Sequence, residues 1–178
     1  MKTLTDCRIY VACLACYNAG RLVGAWMDAA RDADDIREDI AEMMKHDTDG
    51  DPCPHEETAI HDYELGGASI GEYESIDHVA KLAACIEEHG EAFVAWYDNE
   101  TRDDGDDWGE QFSEQYRGTF RTLADFVEEF LGDVGTLESI PEDLRRYFDF
   151  DAYAHDMKCN GDVWTADGGE GVFVFWNC

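Results

Sequence analysis

The sequence predicts an α+β protein with small sheets at both ends and helices between them, on three observations. Apolar runs rich in β-branched and aromatic residues stand near the N-terminus, at 59–65 and at the C-terminus. Between them, apolar residues recur at helical spacing. Glycine-bearing breaks separate the segments. Apolar residues make up 44% of the 178. That is too apolar for a disordered acidic tail, so the chain folds.

Taken in order, residues 8–16 (RIYVACLAC) read as a buried strand, 17–20 as a turn and 22–26 (LVGAW) as a second strand. A helix is expected from Asp28 to about Lys45, with Ala33, Ile36, Ile40 and Met43 as its inner stripe. Asp32, Asp35, Asp39 and Glu42 recur on another face, a row of carboxylates rising roughly 5 Å per turn. Residues 46–57 form a polar, proline-containing loop, and 59–65 a third strand ended by Gly66 and Gly67. Residues 76–89 are helical, with Ile76, Val79, Leu82, Ala83 and Ile86 inward and Gly90 as the stop. Residues 92–97 continue apolar, 102–109 are a charged linker, and 112–120 hold a group of aromatics. Residues 123–131 are helical, and Pro141 opens a short helix over PEDLRRYFD. Residues 163–176 form a β-hairpin around Asp167-Gly168-Gly169.

The charge is the outlier. Forty-two acidic residues against 13 basic give a net of −29. Solubility needs only about 2–8 charges on a small domain, and the excess is self-repulsive. Beyond residue 27 the charge is spread almost evenly: 28–58, 59–100 and 101–150 each carry −9. Direct binding to nucleic acid or to anionic membrane is excluded, because both need clustered Lys and Arg. No stretch of 18 apolar residues is present, and MKTLTDCRIY lacks the apolar run of a signal peptide. Seven cysteines, an odd number, read as reduced thiols of a cytoplasmic protein.

Motifs for chemistry are weak. Cys13-x-x-Cys16 lies in a strand pattern without a second pair at zinc spacing, and reads as core thiols. Asp47-Thr-Asp49-Gly-Asp51 starts like a calcium loop, but positions six and twelve are Pro52 and Thr58 instead of Gly and Glu. His55, His61, His78, His89 and His155 show no metal spacing on a helix face. No nucleophile–base pair and no glycine-rich phosphate motif is legible. The expectation is a non-enzyme with no metal and no cofactor.

Duplex DNA carries one charge per roughly 1.7 Å of axis, so a net of −29 matches roughly 50 Å of duplex, about 14–15 base pairs. Such a match requires an elongated molecule. The charge therefore points to a protein that competes with DNA for another protein's binding groove. The alternatives are a halophilic acidic globular protein with an unrelated role and, less well supported by the broken loop, a divalent-cation buffer.

Several segments, in order, resemble the ArdA antirestriction family. They include Tyr17-Asn18, Gly20, Gly24-Ala25-Trp26, AIHDYE at 59–64, the Glu72-Tyr73 pair, and Pro141 through Tyr153. The resemblance implies a DNA mimic, carried on mobile genetic elements, that inhibits type I restriction–modification enzymes by occupying the groove of their methyltransferase core. It also implies three small units in a curved, elongated shape, here 1–74, 75–107 and 108–178, dimerising end to end. Residues 123–144 correspond to the family's antirestriction motif. By resemblance the homodimer contact falls on Gly132, Asp133, Val134 and Gly135. Two departures stand out: the 47–57 loop is longer and more acidic than usual, and the cysteine content is high. The acidic residues expected to face a partner are Asp28, Asp32, Asp35, Asp39, Glu42, Glu72, Glu74, Glu87, Glu88, Asp103, Asp104, Asp106, Asp107, Glu128, Glu129, Asp133 and Glu138.

Overall fold

The first strand, β1 (Arg8–Cys13), is the middle of a three-stranded antiparallel sheet, between β2 (Gly24–Asp28) and β3 (Thr58–Glu64). The structure is a computed structural model that describes residues 6–45, 55–99 and 105–177. Its chain divides into two units, 1–106 and 107–178, each described by itself.

In the first unit, Ile9, Val11 and Cys13 are buried along β1. Arg8 stands opposite Asp28 on one side and Glu64 on the other. Its Nε donates to Glu64 at 2.7 Å, and its guanidinium lies over the Trp26 ring at 4.7 Å. The expected strand to residue 16 ends early. Leu14 donates to the Glu57 carbonyl at 3.0 Å, and the chain then coils into α1 (Leu14–Asn18). Leu and Ala favour that turn of helix, which returns the chain toward β2 through Gly20 at φ 77°. Gly24, the first residue of β2, has no room for a Cβ, which would sit 2.7 Å from the Val11 carbonyl oxygen.

The next helix, α2 (Ala33–Lys45), starts five residues later than expected. Asp28 belongs to β2 and accepts from the Ala30 amide at 3.0 Å. Asp32 accepts from the Asp34 amide at 2.9 Å and, through its carbonyl, from Ile36 at 3.2 Å. Short acidic side chains bond to nearby amides and favour helix starts over interiors, which delays the helix. Ile36 and Met43 are buried, and Ala33 and Ile40 half-buried.

Helix α3 (Ile76–His89) has the expected bounds: Ser75 caps it by accepting from the His78 amide at 3.2 Å, and Gly90 ends it. The apolar 92–97 stretch forms a further helix, α4 (Glu91–Asn99), burying Phe93, Val94 and Trp96. Helix α3 packs against both α2 and α4.

The second unit opens with α5 (Trp108–Gln115), capped by Asp107, and runs into β4 (Tyr116–Phe120). The aromatic group at 112–120 thus divides between a helix end and a strand. Helix α6 (Leu123–Asp133) follows, then a 3-10 turn (Leu137–Ser139) and α7 (Glu142–Arg145). The helix expected over PEDLRRYFD is only this four-residue turn, and Pro141 is extended at its cap rather than inside it. A helix that was not expected, α8 (Phe150–Asn160), is capped by Asp149, which accepts from the Ala152 amide at 2.9 Å.

The C-terminal hairpin forms as expected from β5 (Val163–Asp167) and β6 (Val172–Trp176). Strand β6 is the middle of the second antiparallel sheet, ordered β4-β6-β5. Phe126, Val127, Leu131, Ala154, Met157, Val163 and Val174 join α6, α8 and this sheet in one core.

Candidate acidic interaction surface

Both units carry the charge. Residues 1–106 hold 26 acidic and eight basic residues, net −18, and 107–178 hold 16 and five, net −11. Of the carboxylates expected to face a partner, Asp28, Asp32, Asp35, Asp39, Glu42, Glu72, Glu87, Glu88, Asp107, Glu128, Glu129, Asp133 and Glu138 are exposed. Glu74 and Asp106 are half-buried, and Asp103 and Asp104 lie outside the described residues. Most of the 46–57 loop, including its Asp47–Asp51 run, lies outside them too.

Helix α2 builds the most regular part. Burying Ile36 and Met43 turns Asp35, Asp39 and Glu42 outward, with Asp32 at the helix start. The basic residues on and just before it are already engaged: Arg31 donates to Asp39, Arg37 to Asp34 and to Asp77 of α3, and Lys45 to Glu42 at 3.3 Å. These carboxylates hold the Arg31 and Arg37 pKa values above the ordinary arginine value. Arg37 ties α2 to α3, a link that the sequence periodicity did not show.

Three carboxylates meet where β1 and β2 begin and end. Asp6, Asp28 and Glu87 line one pocket with Cys7, Arg8, Trp26 and Met27. The buried Cys7 thiol records the local potential. Burial first, then the charges of Glu87, Asp28 and Asp6, push its pKa from 9.0 up to about 11.

In the second unit, α6 starts with a reciprocal cap. The Asp125 amide donates to Thr122 Oγ1 at 3.2 Å, and that hydroxyl donates to Asp125 Oδ2 at 2.7 Å. Arg121 also bonds Asp125 and holds its carboxyl below the usual range. Glu128, Glu129, Asp133 and Glu138 form no ion pair among the described residues.

Residues 9–171 match the family described as antirestriction protein (ArdA). The chain belongs to the ArdA antirestriction family. ArdA proteins are inhibitors rather than enzymes, and their partners are restriction–modification enzymes. No curated protein matches the sequence. Helix α6, the 3-10 turn and most of α7 fill residues 123–144, the segment expected from the resemblance to correspond to the family's antirestriction motif. Among the described residues no helix is long and apolar enough to cross a membrane.

One group lies apart from the acidic surface. Cys13, Cys16 and His55 bring their ligand atoms within 4.8 Å of one another. Sequence spacing joined the two cysteines but not the histidine, which lies 39 residues beyond Cys16. The only signal for it was the antiparallel pairing of β1 with β3, which returns the chain to the end of β1.

Proposed function

We propose that this ArdA protein is a DNA mimic that inhibits type I restriction–modification enzymes by occupying the DNA groove of their methyltransferase core. The observation that carries the reading is the placement of the acids: exposed on elements of both units, at net −18 and −11, instead of in a tail. Among the described residues few of these carboxylates are paired with a cation, so the field reaches solvent and steers a basic groove toward the protein. The reading includes a cytoplasmic protein of mobile-element origin, elongated over three units at 1–74, 75–107 and 108–178. It also includes a homodimer through residues 132–135. Val134, Leu144, Tyr147 and Tyr153, all exposed in the second unit, supply apolar surface for that contact.

The test is competition. At low salt the purified protein displaces a duplex from a type I methyltransferase, and the displacement fades as salt rises. No displacement at low salt overturns the reading. Light scattering separates the dimer from a monomer, and small-angle scattering tests the elongation.

A further inference from the structure

We propose that Cys13, Cys16 and His55 form a zinc site at the end of the N-terminal sheet. The Cys13 sulfur lies 3.4 Å from His55 Nδ1, and the Cys16 sulfur 3.6 Å from the same nitrogen. A tetrahedral zinc ion bonds sulfur at about 2.3 Å and nitrogen at about 2.0–2.1 Å, which separates those two atoms by about 3.5 Å. The two sulfur–nitrogen distances bracket that edge, and all three ligand atoms lie within 4.8 Å of one another.

One imidazole nitrogen, Nδ1, faces both sulfurs, which are weak hydrogen-bond partners and good zinc ligands. His55 also holds a left-handed backbone, φ 45°, the single such non-glycine among the described residues. A zinc ion bonded to Nδ1 and to both sulfurs would hold the three side chains at one point.

The local fold builds the site. Cys13 ends β1 and Cys16 lies in α1, so the strand-to-helix corner turns both thiols inward, and neither is exposed to solvent. His55 arrives just before β3, where Leu14 donates to Glu57 and Cys13 pairs with Thr58.

Two soft thiolates and an imidazole select Zn²⁺ over Mg²⁺ or Ca²⁺, which prefer oxygen. On binding, each thiol loses its proton to solvent, and the two thiolate charges cancel those of the ion. The buried site then carries no net charge. The fourth position takes water or a further donor. The role is a clip that fastens the corner of β1 and α1 to the start of β3.

The experiment uses the untagged full chain, freed of metal and titrated with Co²⁺ and then Zn²⁺. The wild type is expected to show a thiolate-to-cobalt charge-transfer band that Zn²⁺ abolishes and that excess Ca²⁺ or Mg²⁺ leaves in place. Exposed carboxylates also attract divalent ions but give no such band. C13S, C16S and H55A each weaken zinc binding by more than about 100-fold, because losing a direct ligand exceeds the 10- to 100-fold typical of an outer partner. C85S and C159S bind as the wild type does. His55 is only half-buried, so H55A tests the site even where a buried cysteine variant fails to fold. A wild type without the charge-transfer band, or an H55A protein that binds zinc as the wild type does, overturns the proposal.

Discussion

The two units use one sheet plan and fill it differently. Each has three antiparallel strands with the most buried strand in the middle, β1 in the first and β6 in the second. Around β1 the filling is aliphatic and thiol: Ile9, Val11, Cys13 and Cys16. Around β6 it is aromatic. Phe175 stacks on Trp164 at 4.1 Å and meets Phe112 and Tyr116, while Trp176 packs edge-on against Phe126 and Phe130. Broad rings reach across a small sheet and help close the core of a unit of 72 residues. The first sheet packs against α2 through β2, and α2 in turn packs against α3. The difference teaches that a similar acidic exterior can be carried on two sheets whose central strands are packed unlike each other.

Core truncation gives the largest effects expected from that contrast. Phe175→Ala should cost about 3–5 kcal/mol and Ile9→Ala about 2–5 kcal/mol. Each should lower hydrogen-exchange protection in its own unit while the other keeps its protection. Loss of protection in both units from one substitution would show that they unfold together.

At each sheet a glycine, in β2 or just before β6, is pressed onto the neighbouring strand. A Cβ on Gly171 would lie 2.3 Å from the Phe120 carbonyl oxygen, closer than the equivalent 2.7 Å approach at Gly24. Gly171→Ala and Gly24→Ala should each cost about 1–3 kcal/mol, the former more, read from denaturant midpoints.

Alkaline pH separates the units next. Cys7 titrates at about 11 in the folded chain against an ordinary 9.0, so folding favours the protonated thiol. Its stabilisation is complete below pH 9 and is lost as pH rises through 11, on the order of 2–3 kcal/mol. The difference between wild type and Cys7→Ala in denaturation across pH 8–11 isolates this from tyrosine titration. A constant difference would refute the shift. In the second unit Thr122→Ala removes the α6 cap at a cost of about 1 kcal/mol. The smallest effect is on binding. Neutralising Asp35 and Asp39 together should weaken partner affinity only about 1.5- to 5-fold, because exposed charges contribute little singly. Abolition by that pair would mean a localised site.

Much of this was legible in the sequence where pattern and punctuation agreed. Helix α3 has a capping serine, a clean apolar stripe and a terminal glycine, and its bounds match. The hairpin at 163–176 is announced by its glycines. Helix α8 was not legible because its buried face is only Ala154 and Met157, too small a stripe to stand out. The start of α2 was misplaced because aspartates cap as readily as they line a helix, and only tertiary packing decides between the two. The even spread of acids was visible at once. The pairing of Arg37 with Asp77, and the meeting of His55 with the two cysteines, depend on long-range folding that spacing does not encode.

The arginine pairing on and beside α2 has a further consequence. Arg31 and Arg37 are held by carboxylates, and most of the other described acids have no cation within reach. Dissolved ions then act on the molecule with opposite signs. They relieve repulsion among the unpaired acids and so firm up the fold, and they dim the field that draws a basic groove. The protein is thus at its most adhesive under the conditions in which it is least comfortable, and its working point is a compromise between holding itself together and being held.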